Sequence, residues 1–270
     1  MKHLVLFLLF TYCCSFGQTK YFPHLAYGKS SQQVLDLYIP DEGLKDVPVV
    51  ILLHGGAWSM GGLEYTSKHA QDICNRGFVV ANVDYRYVSD NVSAKDLLAD
   101  IDAAVTYVSE ASNKYGYGKK EYHIVGISAG AHLALLYGYT KKNMKSITAL
   151  CAPSRLDSSE AVEFMRKNGH LDIIEKLAGT KIENGTDPAL IKISPFNTIS
   201  NIPTLLIHGD ADNLVNVSQS QNLYDELKRK GVETKLIIRE GKGHDVGMNT
   251  PETEIQNIND IAEWIIQHNK

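Results

Sequence analysis

Residues 122–139 read YHIVGISAGAHLALLYGY: a short apolar run, the pentapeptide GISAG, then a second run that is apolar on nearly every side. Few folds accept such a segment. A buried strand passes within five residues into a buried helix, and Ser128 stands at the corner. The backbone there must turn sharply and bring strand and helix close together, so the flanking positions call for small residues, which Gly126 and Gly130 supply. The N-terminus of the helix then adds a partial positive charge beside the serine.

Other short runs rich in Val, Ile, Leu and aromatic residues lie at 34–39 (VLDLYI), 49–53 (VVILL), 78–83, 147–151, 204–207 and 235–238. VVILL has the continuous apolar character of a central strand covered on both faces, whereas VLDLYI alternates like an edge strand. Helical patterns lie between them. One places Leu97, Ile101, Ala104, Val105 and Val108 on a single face, and another carries Leu223 and Leu227 among the charges of 218–230. Strands alternating with amphipathic helices predict an α/β fold with a mainly parallel central sheet flanked by helices, since parallel strands need helical crossovers. Residues 154–194 break the rhythm with two short helical patterns and no matching strand, and are expected to form a small helical insertion, a cap over the sheet. An ordinary long crossover is the alternative.

At 270 residues, 44% of them hydrophobic, the chain can bury one large core, so 18–270 is expected to be a single catalytic domain. The formal net charge of -4 offers no basic excess, and nucleic acid is not expected as a partner. Residues 1–17 carry Lys2, an apolar stretch from Leu4 to Phe10, and Ser15 and Gly17 at the spacing a signal peptidase reads. They are expected to be a secretory signal peptide that leaves the mature chain extracytoplasmic, periplasmic or secreted. The stretch falls short of the ~20 residues of a stable membrane span. Lipoprotein anchoring through Cys13 or Cys14 is the weaker alternative. Without those two cysteines only Cys74 and Cys151 remain, and a disulfide between them is open but not indicated.

A serine hydroxyl is a poor nucleophile unless a neutral imidazole takes its proton, and that imidazole needs a carboxylate to fix its tautomer. The chain offers both beyond later strands. Asp212 follows the 204–207 strand in TLLIHGDADNLV, and His244 follows the next one in EGKGHD, so Ser128, Asp212 and His244 occur in the order nucleophile, acid, base. All three fall at carboxyl ends of strands, the edge of a parallel sheet where ligands bind. Asp210 is the rival acid in the same loop, with a turn-shaping role as its plainer reading. Asp245 is poorly placed to orient its own neighbour. His132 reads as a packed helix residue, and His54 and His208 read as loop braces, because no pair of histidines has metal-site spacing such as HExxH. The chemistry requires no cofactor and no metal.

The negative charge of a tetrahedral intermediate also needs donors. HGGAW at 54–58 follows the VVILL strand, and its glycines free the backbone to turn amides inward. Gly56 and Ala57 are thus expected to form the oxyanion hole with Ala129, the residue after the nucleophile.

With HGGAW, DYRY at 84–87, GISAG, HGDAD at 208–212 and GKGH at 241–244, the chain resembles the α/β-hydrolase esterases. More narrowly it is similar to the carboxylesterase and lipase relatives grouped around hormone-sensitive lipase, kynurenine formamidase and the bifunctional acetyl xylan and feruloyl esterases. The resemblance covers nearly the whole chain after residue 17. It implies the α/β-hydrolase fold and picks the last Asp of the HGDAD run, Asp212, as the acid, with Asn216 where such runs carry proline. Ala57 stands where the lipase branch has a third glycine, which brings the motif closer to the HGGxW form. The implied activity is hydrolysis of short-chain carboxylic esters, with small-molecule or carbohydrate esters, acetyl or feruloyl among them, as substrates. A serine exopeptidase or amidase on the same fold is the alternative, as is, in another class, a catalytically dead hydrolase fold used for binding. Oligomeric state is not set by these features.

Overall fold

The computed structural model describes residues 19–41, 47–118 and 122–269. Residues 1–17, expected to be a signal peptide, and the cysteines at 13 and 14 within them lie outside the described residues. Eight strands form one sheet in the order β1-β2-β4-β3-β5-β6-β7-β8: β1 Lys20–Ala26, β2 Val34–Ile39, β3 Val49–Leu53, β4 Val79–Val83, β5 Tyr122–Ile127, β6 Ser146–Leu150, β7 Thr204–Gly209 and β8 Thr234–Arg239. From β4 to β8 every neighbouring pair is parallel, while β1 and β2 run antiparallel at one edge. VLDLYI is therefore not the edge strand. That place belongs to β1, KYFPHLA, whose largely exposed residues and Pro23 hide its strand character in the sequence. Its pairing with β2 shifts register between Phe22 and Leu25.

The helices are α1 Ser67–Cys74, α2 Ala94–Tyr115, α3 Ala129–Lys141, α4 Ser159–Lys167, α5 Leu171–Ala178, α6 Pro188–Ile193, α7 Ser218–Arg229 and α8 Pro251–His268. They cover the sheet from both sides, and the alternation of side chains along a strand sorts the core into two layers. Val49, Ile51 and Leu53 of β3 pack with Leu97, Ile101 and Leu133 of α2 and α3. Val50 and Leu52 face the other way, onto Ile73 of α1 and Ile258, Ile261 and Ile265 of α8. A strand apolar at every position is needed here because neither face meets water. The α3 helix is likewise buried from Ala129 to Tyr139, as a helix apolar all round must be. At the start of α2, the Asp96 carboxylate accepts from the Ser93 amide, the return half of a capping box.

Between β6 and β7 lie α4, α5 and α6, three short helices rather than the two that periodicity suggested. The third, PALIKI, is too short to display a period. It is set by its ends: Asp187 caps it by accepting from the Ala189 amide, and Pro188 occupies the first turn. Among the described residues, no helix is long and apolar enough to cross a membrane.

Candidate active site

The chain moves from β3 to β4 on one side and returns to β5 on the other, so the crevice at the carboxyl ends of β3 and β5 is where a parallel sheet of this order leaves room for a ligand. Ser128 stands there with φ 54° and ψ −117°, a conformation that costs a side-chain-bearing residue about 1–3 kcal/mol. Its surroundings hold it in place. The Ser128 amide donates to the Leu150 carbonyl of β6 at 2.8 Å. A Cβ on Gly126 would lie 2.2 Å from the Gly130 carbonyl oxygen, and one on Gly130 would lie 2.4 Å from the carbonyl oxygens of Leu53 and His54. The two glycines of GISAG thus let α3 begin directly against the end of β3.

Ser128 Oγ is 2.8 Å from His244 Nε2, and His244 Nδ1 is 2.7 Å from Asp212 Oδ2. A carboxylate can only accept, so Nδ1 carries the proton and Nε2 presents its lone pair to the hydroxyl. Asp212 sits in a cradle. Its Oδ1 accepts from the amides of Leu214 and Val215 at 2.8 and 2.9 Å, and His208 Nε2 lies 3.2 Å from Oδ2. Burial alone would raise the carboxyl pKa, but hydrogen bonds from His208, His244 and the Val215 amide outweigh it and hold the group well below the usual carboxylate range. Asp212 is therefore held in its ionised form near neutral pH.

The neighbouring acids do other work. Asp210 accepts from the Gly241 amide at 2.6 Å and Asp245 from the Gly247 amide at 3.1 Å, so each shapes its own loop. His208 lies inside β7 rather than in the loop after it. Its Nε2–H donates to the Val215 carbonyl at 2.8 Å and its Nδ1 accepts from Ser220 Oγ at 2.7 Å, bracing the loop that carries Asp212. Sequence reasoning missed how close this ring comes to Asp212, although four-residue spacing in HGDAD was a signal for it.

Gly56, Ala57 and Ala129 line one cavity with Ser128 and His244. Gly56, Ala57 and Trp58 have φ of 118°, 50° and 57°, three successive residues in the left-handed half of φ space. The Gly56 carbonyl accepts from the amides of Ser59 and Met60, both at 3.0 Å, which closes the turn. Ala129 is the first residue of α3, and a first-turn amide has no acceptor within its own helix. The cavity measures about 1040 Å³. Phe164, Met165, Ile173 and Ile174 of α4 and α5 wall it, with Trp58 and Leu156. The segment 154–194 therefore roofs the pocket, and its two ends are tied together: the Phe196 amide donates to the Ser154 carbonyl at 3.0 Å and the Leu156 amide to Ser194 Oγ at 2.9 Å.

Cys74 and Cys151 are both buried free thiols. Cys151 follows β6 with φ 46°, and its Sγ, an Asp212 oxygen and a His244 nitrogen lie within 4.8 Å of one another. The Asp212 and His244 atoms in this cluster already serve each other and Ser128, and burial pushes the thiol pKa far up, which disfavours the thiolate a metal would need.

Among curated proteins, the chain is 30% identical over 246 residues to a probable isoprenylcysteine alpha-carbonyl methylesterase of rice (Oryza sativa subsp. japonica), covering 83% of this chain and 58% of that one. It is 25% identical over 223 residues to esterase LipC of Mycobacterium tuberculosis, covering 75% and 54%. The chain thus spans little more than half the length of these relatives. Among solved structures, a truncated carbohydrate esterase from gut microbiota superposes with a TM-score of 0.81 at 20% identity, over 94% of this chain and 98% of that one. Esterase B of Lactobacillus rhamnosis superposes with a TM-score of 0.77 at 20% identity, over 91% and 86%. These likenesses speak to the fold, which is that of the α/β-hydrolases. A family model matches residues 35–227, which run from β2 through Ser128, the 154–194 segment and the loop of Asp212 to α7, and the chain accordingly belongs to the BD-FAE family.

Proposed function

We propose that the chain is a serine hydrolase that cleaves short-chain carboxylic esters through an acyl-enzyme. The observation that carries this reading is the unbroken relay from Ser128 Oγ through His244 to Asp212, opening onto a cavity that the HGGAW loop also lines. Ser128 Oγ attacks the ester carbonyl carbon as His244 Nε2 takes its proton. The amides of Gly56, Ala57 and Ala129 hold the oxyanion. The intermediate collapses, and His244 hands its proton to the departing alcohol. Water then attacks the acyl carbon, giving its proton to His244, and the acid leaves as Ser128 recovers that proton. Asp212 stays ionised throughout and stabilises the imidazolium.

Acetyl or feruloyl esters of carbohydrates are the substrates we favour. The HGGxW form of the oxyanion loop supports this, as does an apolar cavity larger than an acetyl group needs. An extracytoplasmic place of action belongs to the same proposal and rests on Lys2 and the apolar run that follows it.

The purified protein is expected to turn over p-nitrophenyl acetate, to be labelled at Ser128 by a fluorophosphonate, and to release acetate from acetylated xylan. Good turnover of alkyl esters without release from xylan removes the carbohydrate part alone, whereas faster cleavage of amino-acyl p-nitroanilides than of esters makes it a peptidase. Because the base must be neutral to accept a proton, the rate is expected to fall on acidification, checked as kcat/KM against pH. A flat profile removes the histidine base.

A further inference from the structure

The oxyanion hole is assembled from two separate pieces of chain: the 56–58 loop after β3, and the first turn of α3. The hydrogen bond a transition state feels depends on both sets of amides standing in register to a fraction of an ångström. The loop is the less secure piece. Ala57 and Trp58 both have positive φ, at about 1–2 kcal/mol per residue, and such residues persist only where their surroundings over-determine them.

The side chain that reaches into this loop is His132, fully buried and one turn beyond the nucleophile, with its amide donating to the Ser128 carbonyl at 3.0 Å. Its Nε2 is 2.7 Å from the Ile193 carbonyl at the end of α6. A carbonyl can only accept, so Nε2 carries the proton and Nδ1 is left with a lone pair. That lone pair meets the one group on Trp58 able to use it, the indole Nε1–H, at 3.2 Å. The two rings also pack edge to face, with centroids 5.1 Å apart. Trp58 in turn accepts on its carbonyl from the Val88 amide at 2.8 Å. Burial lowers the imidazole pKa to about 4, so the ring is neutral in ordinary buffers, as the pairing with an N–H donor demands.

We propose that His132 is a positioning residue: its bond to Trp58 fastens the 56–58 loop to the helix that begins at Ala129 and so keeps the two halves of the oxyanion hole in register. The bond to Ile193 extends the same tie to the base of the cap. This inference rests on reading Gly56, Ala57 and Ala129 as the oxyanion donors.

The test uses the full chain, with active sites counted by fluorophosphonate titration so that misfolded protein does not lower the apparent rate. Trp58→Phe removes the indole donor and keeps a ring, and His132→Leu removes the acceptor. Each is expected to lower kcat per titrated site by about 10- to 100-fold while KM stays within about twofold, because the contact serves the oxyanion rather than the bound ester. His132→Asn, which keeps an acceptor near the Nδ1 position, is expected to recover most of that loss. In the wild-type protein the Trp58 indole proton is expected to exchange slowly with solvent by NMR, a readout that does not depend on any variant folding. With wild type active, kcat within about twofold for Trp58→Phe and His132→Leu, an asparagine no better than leucine, or a fast-exchanging indole proton overturns the inference alone. Wild-type protein that neither turns over an ester nor takes the label overturns the hydrolase reading, and the inference with it.

Discussion

The loops at the carboxyl edge of the sheet and the helices that roof them are built on different terms. At the sheet edge, main chain fixes main chain: Gly126 and Gly130 leave no space for a Cβ, Ser128 hangs from Leu150, and Asp212 is gripped by two amides and two imidazoles. In the roof, α4 buries only Val162, α5 only Ile174 and Leu177, and α6 only Leu190 and Ile193. Phe164 is 47% exposed at the mouth of the pocket. The lesson is a division of labour. Groups that meet at hydrogen-bond distance stand on close-packed backbone, while the cavity walls of α4 and α5 stand on short helices held by a few apolar contacts.

Substitutions at the sheet edge should strike the chemistry hardest. Ser128→Ala is expected to lower kcat on p-nitrophenyl acetate by on the order of 10⁶-fold without unfolding the protein, and residual turnover near wild type would dissolve the contrast altogether. Asp212→Asn follows, at about 10⁴-fold, since an amide cannot hold the tautomer with Nδ1 protonated. It also carries a pH signature. The native carboxyl is depressed below its unfolded value, so it contributes stability above about pH 4 that is lost as pH falls through the folded value. The melting-temperature gap between wild type and Asp212→Asn should therefore narrow in acid, and a gap constant from pH 7 to pH 3 would contradict it.

The same contrast can be read in stability. A Cβ at Gly130 meets fixed backbone, and Gly130→Ala is expected to cost about 1–3 kcal/mol or more in urea unfolding. Gly169, between α4 and α5, has φ 74° and nothing within 4 Å of a built Cβ, so Gly169→Ala should cost only the left-handed strain, about 1 kcal/mol. Equal losses would mean the cap is as tightly determined as the edge. Smallest on the acetyl ester is Ala161→Trp, which thickens a cap wall of the cavity. It should raise KM for bulky acyl esters roughly tenfold and leave p-nitrophenyl acetate within about threefold. A uniform fall across the acyl panel would show that the wall does more than select.

A continuous apolar strand such as VVILL declares itself because burial on both faces favours apolar residues, and the buried Asn82 inside VVANV is accommodated only by its hydrogen bonds to Thr66 and the Leu63 carbonyl. The strand β1 does not declare itself, because its residues face solvent and Pro23 argues against a ladder. The α6 helix is invisible to periodicity at six residues and is set by Asp187 and Pro188 instead. At the site, the order Ser128, Asp212, His244 could be read along the chain because each follows a strand, and strands of a parallel sheet end on one edge. Distances could not. That His208 leans on Asp212 depends on the packing of β7 against its own loop, and the link from Trp58 to His132 joins residues 74 positions apart.

The sequence by itself determined the strand–turn–helix corner at Ser128, the alternation that makes a mainly parallel sheet, and the residue types available for proton transfer, because local sterics and burial periodicity are written in adjacent residues. Only the tertiary structure decided which strand stands at the edge, how α4 and α5 wall a cavity of about 1040 Å³, and how the His132 imidazole on one segment meets the Trp58 indole on another. Those outcomes depend on contacts between residues far apart in the chain, where no local preference reaches.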